Sequence, residues 1–124
     1  MRDFRELKVW QLAHTLGLDV YRETTTFPKS EMYGITSQLR RAAVSIPANI
    51  AEGSGRGTDP AMCQFLLIAQ ASAAELEYLL LLSRDLGYLP VEVEGKLHDA
   101  VKEVRRLLGG FVRSLRKPGR HTNG

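Results

Sequence analysis

Histidine, cysteine and glutamate are the side chains from which a helical protein most readily builds a metal or catalytic centre, and this chain holds few of them at usable spacing. A di-iron bundle draws a Glu-x-x-His pair from each of two helices, but none of His14, His98 or His121 has a glutamate three positions before it. There is no HExxH, no CxxC, no GxxxxGKS phosphate loop and no GxGxxG turn between a strand and a helix. The glycine-rich "EGSGRG" at 52–57 follows a periodic apolar segment, so it reads as a helix stop and a turn. Cys63 is the only cysteine, excludes an intramolecular disulfide and reads as a small apolar residue. His98 falls on the charged face of the last helical segment and is expected to be solvated. Glu75 and Glu77 are the only carboxylates in a long apolar segment; if either is buried, Arg41 is the candidate partner, and otherwise both face water. No catalytic residue, metal or cofactor is assigned, and the chain is expected not to be an enzyme.

Positive charge is organised better than chemistry. Residues 2–8, 52–60 and 105–120 hold ten basic side chains (Arg2, Arg5, Lys8, Arg56, Arg105, Arg106, Arg113, Arg116, Lys117 and Arg120) against four acidic ones, a local +6. The remainder carries −3, so the formal +3 conceals a polarised molecule. A concentrated basic surface attracts polyanions and binds nucleic acid through counterion release. No aromatic side chains interleave with these bases as stacking platforms, so binding is expected to follow the phosphate backbone with weak sequence preference. The plainer reading also stands: basic residues near a helix C-terminus complement its dipole and keep a tail soluble.

The three stretches meet only if the helices run up-down-up-down, and the periodicity supplies four of them. Val9, Ala13, Leu16 and Val20 mark a first helix over about 6–26, ended by three threonines and Phe27-Pro28. Ser30 is expected to cap a short turn in "KSEMYG". A second helix runs from about Thr36 to the glycines at 53, 55 and 57, with Pro47 inside it as an expected bend. Asp59 as cap and Pro60 as first residue open a third helix, which reaches about Leu86 before Gly87. Pro90 opens a fourth, which reaches about Leu115 across Gly109-Gly110. These lengths and short connections predict an all-α fold, an antiparallel up-down-up-down four-helix bundle over 1–117, with a disordered tail at 118–124. No apolar run approaches the roughly 18–20 residues of a membrane span, and "MRDFRELKVW" lacks the apolar stretch of a secretory signal; a cytoplasmic location is expected.

Two helices carry more apolar surface than one bundle covers. Met62, Phe65, Ala69, Ser72, Leu76, Leu79, Ser83 and Leu86 form one seam of the third helix, yet Leu66, Leu67, Ile68, Ala73, Leu80, Leu81 and Leu82 point elsewhere. In the second helix Leu39, Ala42, Ala43, Ile46 and Ile50 form one face, and Val44, Ala48, Ala51 and Gly55 another. Between them runs the polar stripe Gln38, Arg41, Ser45, Asn49, Glu52 and Arg56. A stripe between two apolar faces suits a helix packed in its own bundle on one side and on another subunit on the other, so a homo-oligomer is expected.

The stretch "FPKSEMYGITSQLRRAAVSIPANIAEGSGR", with "LKVWQLAHTL" before it and "ASAAELEYLLLLSRDLGYL" after it, resembles the bacterial four-helix-bundle family of 23S rRNA intervening-sequence proteins over roughly residues 5–115. Relatives include the accessory variability protein of diversity-generating retroelements. The resemblance implies a ring-like homopentamer of bundles with a basic surface that contacts RNA or DNA and, in the retroelement case, a reverse transcriptase. Gln38, Arg41, Ser45, Asn49, Glu52 and Gly53 occupy its motif positions and are carried over as structural residues. The leading expectation is a cytoplasmic, non-enzymatic oligomer that binds nucleic acid as an accessory to RNA or to an RNA-handling protein. The rival is a protein-protein scaffold or assembly module with no direct nucleic-acid role.

Overall fold

The computed structural model describes residues 3–118. Among these the chain is all-helical, with α1 (Lys8–Glu23), α2 (Ile35–Arg56), α3 (Asp59–Asp85), α4 (Val91–Arg116), short 3-10 turns at Phe4–Glu6 and Lys29–Glu31, and no strand. Each long helix packs on its neighbours in sequence and α4 returns to α1, the most extensive contact being α2 on α3. Leu16, Leu39, Ile46, Ile50, Leu66, Leu76, Leu80 and Leu108, drawn from all four helices, are fully enclosed in the shared core. The tail expected at 118–124 lies, from residue 119 on, outside the described residues.

Local chemistry corrects several helix ends. Phe4–Glu6 forms a separate turn because the Asp3 carboxylate accepts from the Arg5 N–H at 3.0 Å, so α1 begins at Lys8. It stops at Glu23, where the Thr24 and Thr25 hydroxyls donate to the carbonyls of Val20 and Arg22, each at 2.8 Å. Ser30 does not cap the next turn, which follows Pro28 with no side-chain cap and contains Ser30. Thr58, not Asp59, caps α3: its hydroxyl accepts from the Ala61 N–H at 3.3 Å, and Asp59 moves into the first turn, where its charge still suits the helix dipole. Gly57 and Gly87 close α2 and α3 with φ of +83° and +80°, a region that glycine enters without strain.

Helix α2 runs through Pro47 from Ile35 to Arg56. A proline lacks the N–H that would bond the carbonyl four residues back, here Ala43 O. That oxygen faces α1 at Gly17, where a Cβ would stand 3.9 Å from it. Pro47 itself is buried, so the missing bond lies inside the protein rather than on its surface.

Helix α3 buries two rows where the sequence suggests one seam. Met62, Ala69, Leu76, Leu79 and Ser83 are buried as expected, with Phe65 and Ser72 half-buried against α2. Leu86 is a correction: as the C-cap of α3 it stands half-exposed. Leu66, Ala73 and Leu80, expected as surplus, are enclosed by the chain's own helices. Leu67, Ile68 and Leu81 remain 44, 45 and 39% exposed. By length and composition α3 is long and apolar enough to cross a bilayer, a property that its uninterrupted stretches of sequence did not suggest.

Helices α2 and α3 approach closely at Gly53, where an added Cβ would lie 2.9 Å from Met62 Sδ and 3.0 Å from Phe65 Cβ. The thioether can swing away, but a Cβ is fixed to its backbone. Gly53→Ala should therefore lower stability by about 1–3 kcal/mol through overpacking, although alanine gains ~1 kcal/mol in helix propensity. Chemical denaturation checks this; a raised midpoint would mean that the two helices separate at no cost.

Candidate functional site

Two of the ten bases singled out in the sequence, Arg2 and Arg120, lie outside the described residues. The other eight divide by their partners. Arg5 pairs with Asp3 at 3.1 Å, Arg56 with Glu52 at 3.1 Å, Arg106 with Glu103 at 2.7 Å, and Arg105 with Glu77 of α3. Arg56 also lies over the Phe65 ring, 5.0 Å from its centroid. Lys8, Arg113, Arg116 and Lys117 form no ion pair among the described residues and are exposed.

The structure brings part of this set together. Arg116 and Leu115 border a shallow pocket with Asp59, Pro60 and Cys63, so the last turn of α4 lies beside the first turn of α3. Gly53, three residues before Arg56, packs on Met62 and Phe65 of that same α3 segment. Lys8 at the start of α1 is close enough to Glu103 of α4 to favour its charged form. Arg105 and Arg106 stand ten or eleven residues before Arg116, roughly 15 Å along the helix axis, so they belong to the middle of α4 rather than its last turns. Phe111, two residues before Arg113, packs partly buried against the core.

Electrostatics at this surface come from exposed pairs. The Glu103 carboxyl is held below its ordinary value by the hydrogen bond from Arg106, then by the charges of Arg106 and Lys8. Its partner Arg106 is raised in turn. The Asp3 carboxyl is lowered by its hydrogen bonds from the Arg5 side chain and backbone. On the same flank the Trp10 ring stacks on His14 at 4.8 Å and meets the edge of Phe4 at 5.0 Å.

Of the six carried-over motif residues, Ser45, Asn49 and Gly53 serve the α2–α3 contact. Ser45 Oγ and Ser72 Oγ share a hydrogen bond of 2.7 Å, and Asn49 Nδ2 donates to the Ser45 carbonyl at 2.7 Å and to its hydroxyl at 3.0 Å. Gly53 gives the close approach; Glu52 is tied to Arg56 on the rim, and Gln38 and Arg41 are exposed. Within the polar stripe only Ser45 and Asn49 are partly enclosed by the chain, and Gln38, Arg41, Glu52 and Arg56 are exposed.

One constellation escaped the sequence reading. Glu77 pairs with Arg105 and lies 3.7 Å from His98, so its partners are on α4 and not Arg41, which faces outward from α2. Glu94, with a side chain only 8% exposed, lies 3.9 Å from His98 and 3.5 Å from Arg84. His98 thus stands between two carboxylates while its side chain remains 37% exposed. The Glu94 and His98 spacing of four on one helix was the available signal. At the molecule's far end the Tyr88 hydroxyl donates to Glu31 at 3.0 Å, which raises the Tyr88 pKa because the neighbouring carboxylate disfavours a phenolate. No group of three or more histidine, cysteine or carboxylate residues at metal-binding geometry occurs among the described residues.

A family model described as 23S rRNA-intervening sequence protein matches residues 5–110. The crystal structure of a protein of unknown function from the S23 ribosomal protein family of Bacteroides thetaiotaomicron superposes with a TM-score of 0.76 at 22% identity, covering 85% of this chain and 98% of that one. This likeness supports the fold. A search of curated proteins finds no match.

The Glu103 arrangement carries a signed pH effect. A lowered pKa means that the ionised carboxylate favours the fold; that contribution is present above the ordinary glutamate value of 4.5 and is lost as pH falls through the lowered one. Arg106→Gln should move the Glu103 titration upward toward 4.5, as read by carboxyl NMR. An unmoved midpoint would remove Arg106 as the cause.

Proposed function

Because this chain belongs to the family of 23S rRNA-intervening sequence proteins, we propose that it is a non-enzymatic, homo-oligomeric helical protein that binds nucleic acid through the phosphate backbone at its basic end. The observation that carries the reading is the set Arg113, Arg116 and Lys117 at the end of α4, exposed and without an ion-pair partner among the described residues, while Arg56, Arg105 and Arg106 are paired. Free cations on a rigid helix end release counterions from a polyanion; paired ones release fewer. Arg113, Arg116 and Lys117 reach a polyanion as point charges, which favours contacts to the phosphate backbone over base reading.

The antiparallel up-down-up-down arrangement that gathers these residues is supported by contacts whose partners run in opposite sequence order. Cys63 with Val112, Gln70 with Arg105 and Arg84 with Glu94 join α3 to α4; Gly53 with Met62 and Ser45 with Ser72 join α2 to α3. Self-association is supported by apolar side chains that the chain leaves uncovered, Val44 at 45% exposed on α2 with Leu67 and Ile68 on α3. The proposed state is a ring, and five copies is the number the family resemblance implies. A cytoplasmic location and an RNA-handling partner such as a reverse transcriptase complete the reading. The same exposed face favours the second reading, a scaffold that recognises a protein partner while the basic end only adds solubility.

Arg113→Gln, Arg116→Gln and Lys117→Gln together should weaken RNA and DNA binding and lower the log-log salt slope by roughly 2–3 per engaged subunit, as measured by anisotropy across a salt titration. An unchanged slope would assign the surface no nucleic-acid role and leave the scaffold. Light scattering at micromolar concentration should give a multiple of the chain mass, and a monomer would exclude the ring.

A further inference from the structure

Helices α3 and α4 leave between them an open groove of about 750 Å3. Its apolar wall is Ala74, Tyr78 and Leu81 of α3, spaced four and three apart, so the three stack along one face over two helical turns. Opposite them α4 presents Gly95, where an added Cβ would meet nothing within 4 Å. The absent side chain leaves a notch facing exposed apolar groups, with Tyr78 60% exposed. The groove is therefore large enough and apolar enough to seat side chains of another molecule.

Its charge is opposite to that of the protein. Glu77, Glu92, Glu94 and Asp99 line it against Arg84 and Lys96, a formal −2 on a chain of +3. Glu77 and Glu94 already face Arg105 and Arg84, whereas Glu92 and Asp99 have no ion pair among the described residues. A polyanion is repelled there, so this is not a continuation of the nucleic-acid surface.

We infer that this groove docks a cationic amphipathic helix of a different protein, with apolar anchors at i, i+4 and i+7 against Tyr78 and Leu81 and lysine or arginine flanking them toward Glu92 and Asp99. Helix-in-groove recognition uses this spacing, and complementary charge sets the orientation. Residues 119–124, GRHTNG, contain no apolar side chain. The cationic last turns of α4, with Arg113, Arg116 and Lys117, likewise carry none of the large exposed apolar residues. The inference goes beyond nucleic-acid binding and does not require it.

The test uses the full chain and three synthetic peptides of about 14 residues: leucine and lysine in amphipathic helical order, the same composition scrambled, and the amphipathic order with glutamate for lysine. The ordered lysine peptide should bind at least tenfold tighter than either of the others by calorimetry. Gly95→Leu, which fills the notch in a position with room for it, and Tyr78→Lys should each weaken that binding at least tenfold, while Arg113→Gln leaves it unchanged. Equal binding of the scrambled peptide, or full binding by Gly95→Leu, overturns the proposal. So does a Gly95→Leu variant whose light-scattering mass falls, because the groove would then belong to a second copy. None of these outcomes depends on whether the basic end binds RNA.

Discussion

At Gly53 the backbones of α2 and α3 come so close that even a methyl group would meet Met62 and Phe65. That proximity constrains the rest of the bundle. It brings Ser45 and Ser72 within 2.7 Å, which lets a polar pair sit half-buried in an otherwise apolar contact without an unsatisfied hydroxyl. It also seats Phe65 where Arg56 can lie over its ring, so the guanidinium at the end of α2 is fixed by an aromatic face as well as by Glu52. A side chain at position 53 would wedge the helices apart at the end where the free cations lie.

Helix α3 then has two obligations. One row, with Phe65, Ser72 and Leu79, serves α2; another, with Leu66, Ala73 and Leu80, is enclosed within the core, while Cys63, Gln70 and Glu77 reach toward α4. Burying both rows covers most of the helix, and its apolar excess is reduced to Leu67, Ile68, Leu81 and Tyr78. The fold thus separates its outward surfaces by character. The last turns of α4 carry positive charge unpaired among the described residues, α2 and α3 expose Val44, Leu67 and Ile68, and the α3–α4 groove combines apolar walls with excess carboxylate.

The sequence reading recovered four helices to within one to three residues because each is bounded by strong punctuation: Pro28, Gly57, Pro60, Gly87 and Pro90. It missed by one where two capping residues stood side by side, since Thr58 and Asp59 are chemically equivalent candidates and only the backbone angle chooses between them. The core face of α2 was legible because Leu39, Ala42, Ala43, Ile46 and Ile50 hold one angular sector, and all five are buried. In α3 the periodicity was obscured, because a helix packed on two neighbours is apolar over most of its circumference. Ion pairing was less legible still. Glu77 meets Arg105 twenty-eight positions away, and no local spacing reveals a partner on another helix. For the same reason a count of bases placed Arg105 and Arg106 with a surface from which the helix axis separates them.

The aromatic cluster at the start of α1 has a practical consequence. Trp10 is the sole tryptophan, packed between Phe4 and His14 and two residues after Lys8. Its emission therefore arises from a single, defined spot at the start of α1, and an imidazole lies flat against the indole. The molecule carries an intrinsic optical reporter of events at the start of α1, readable without attaching a dye.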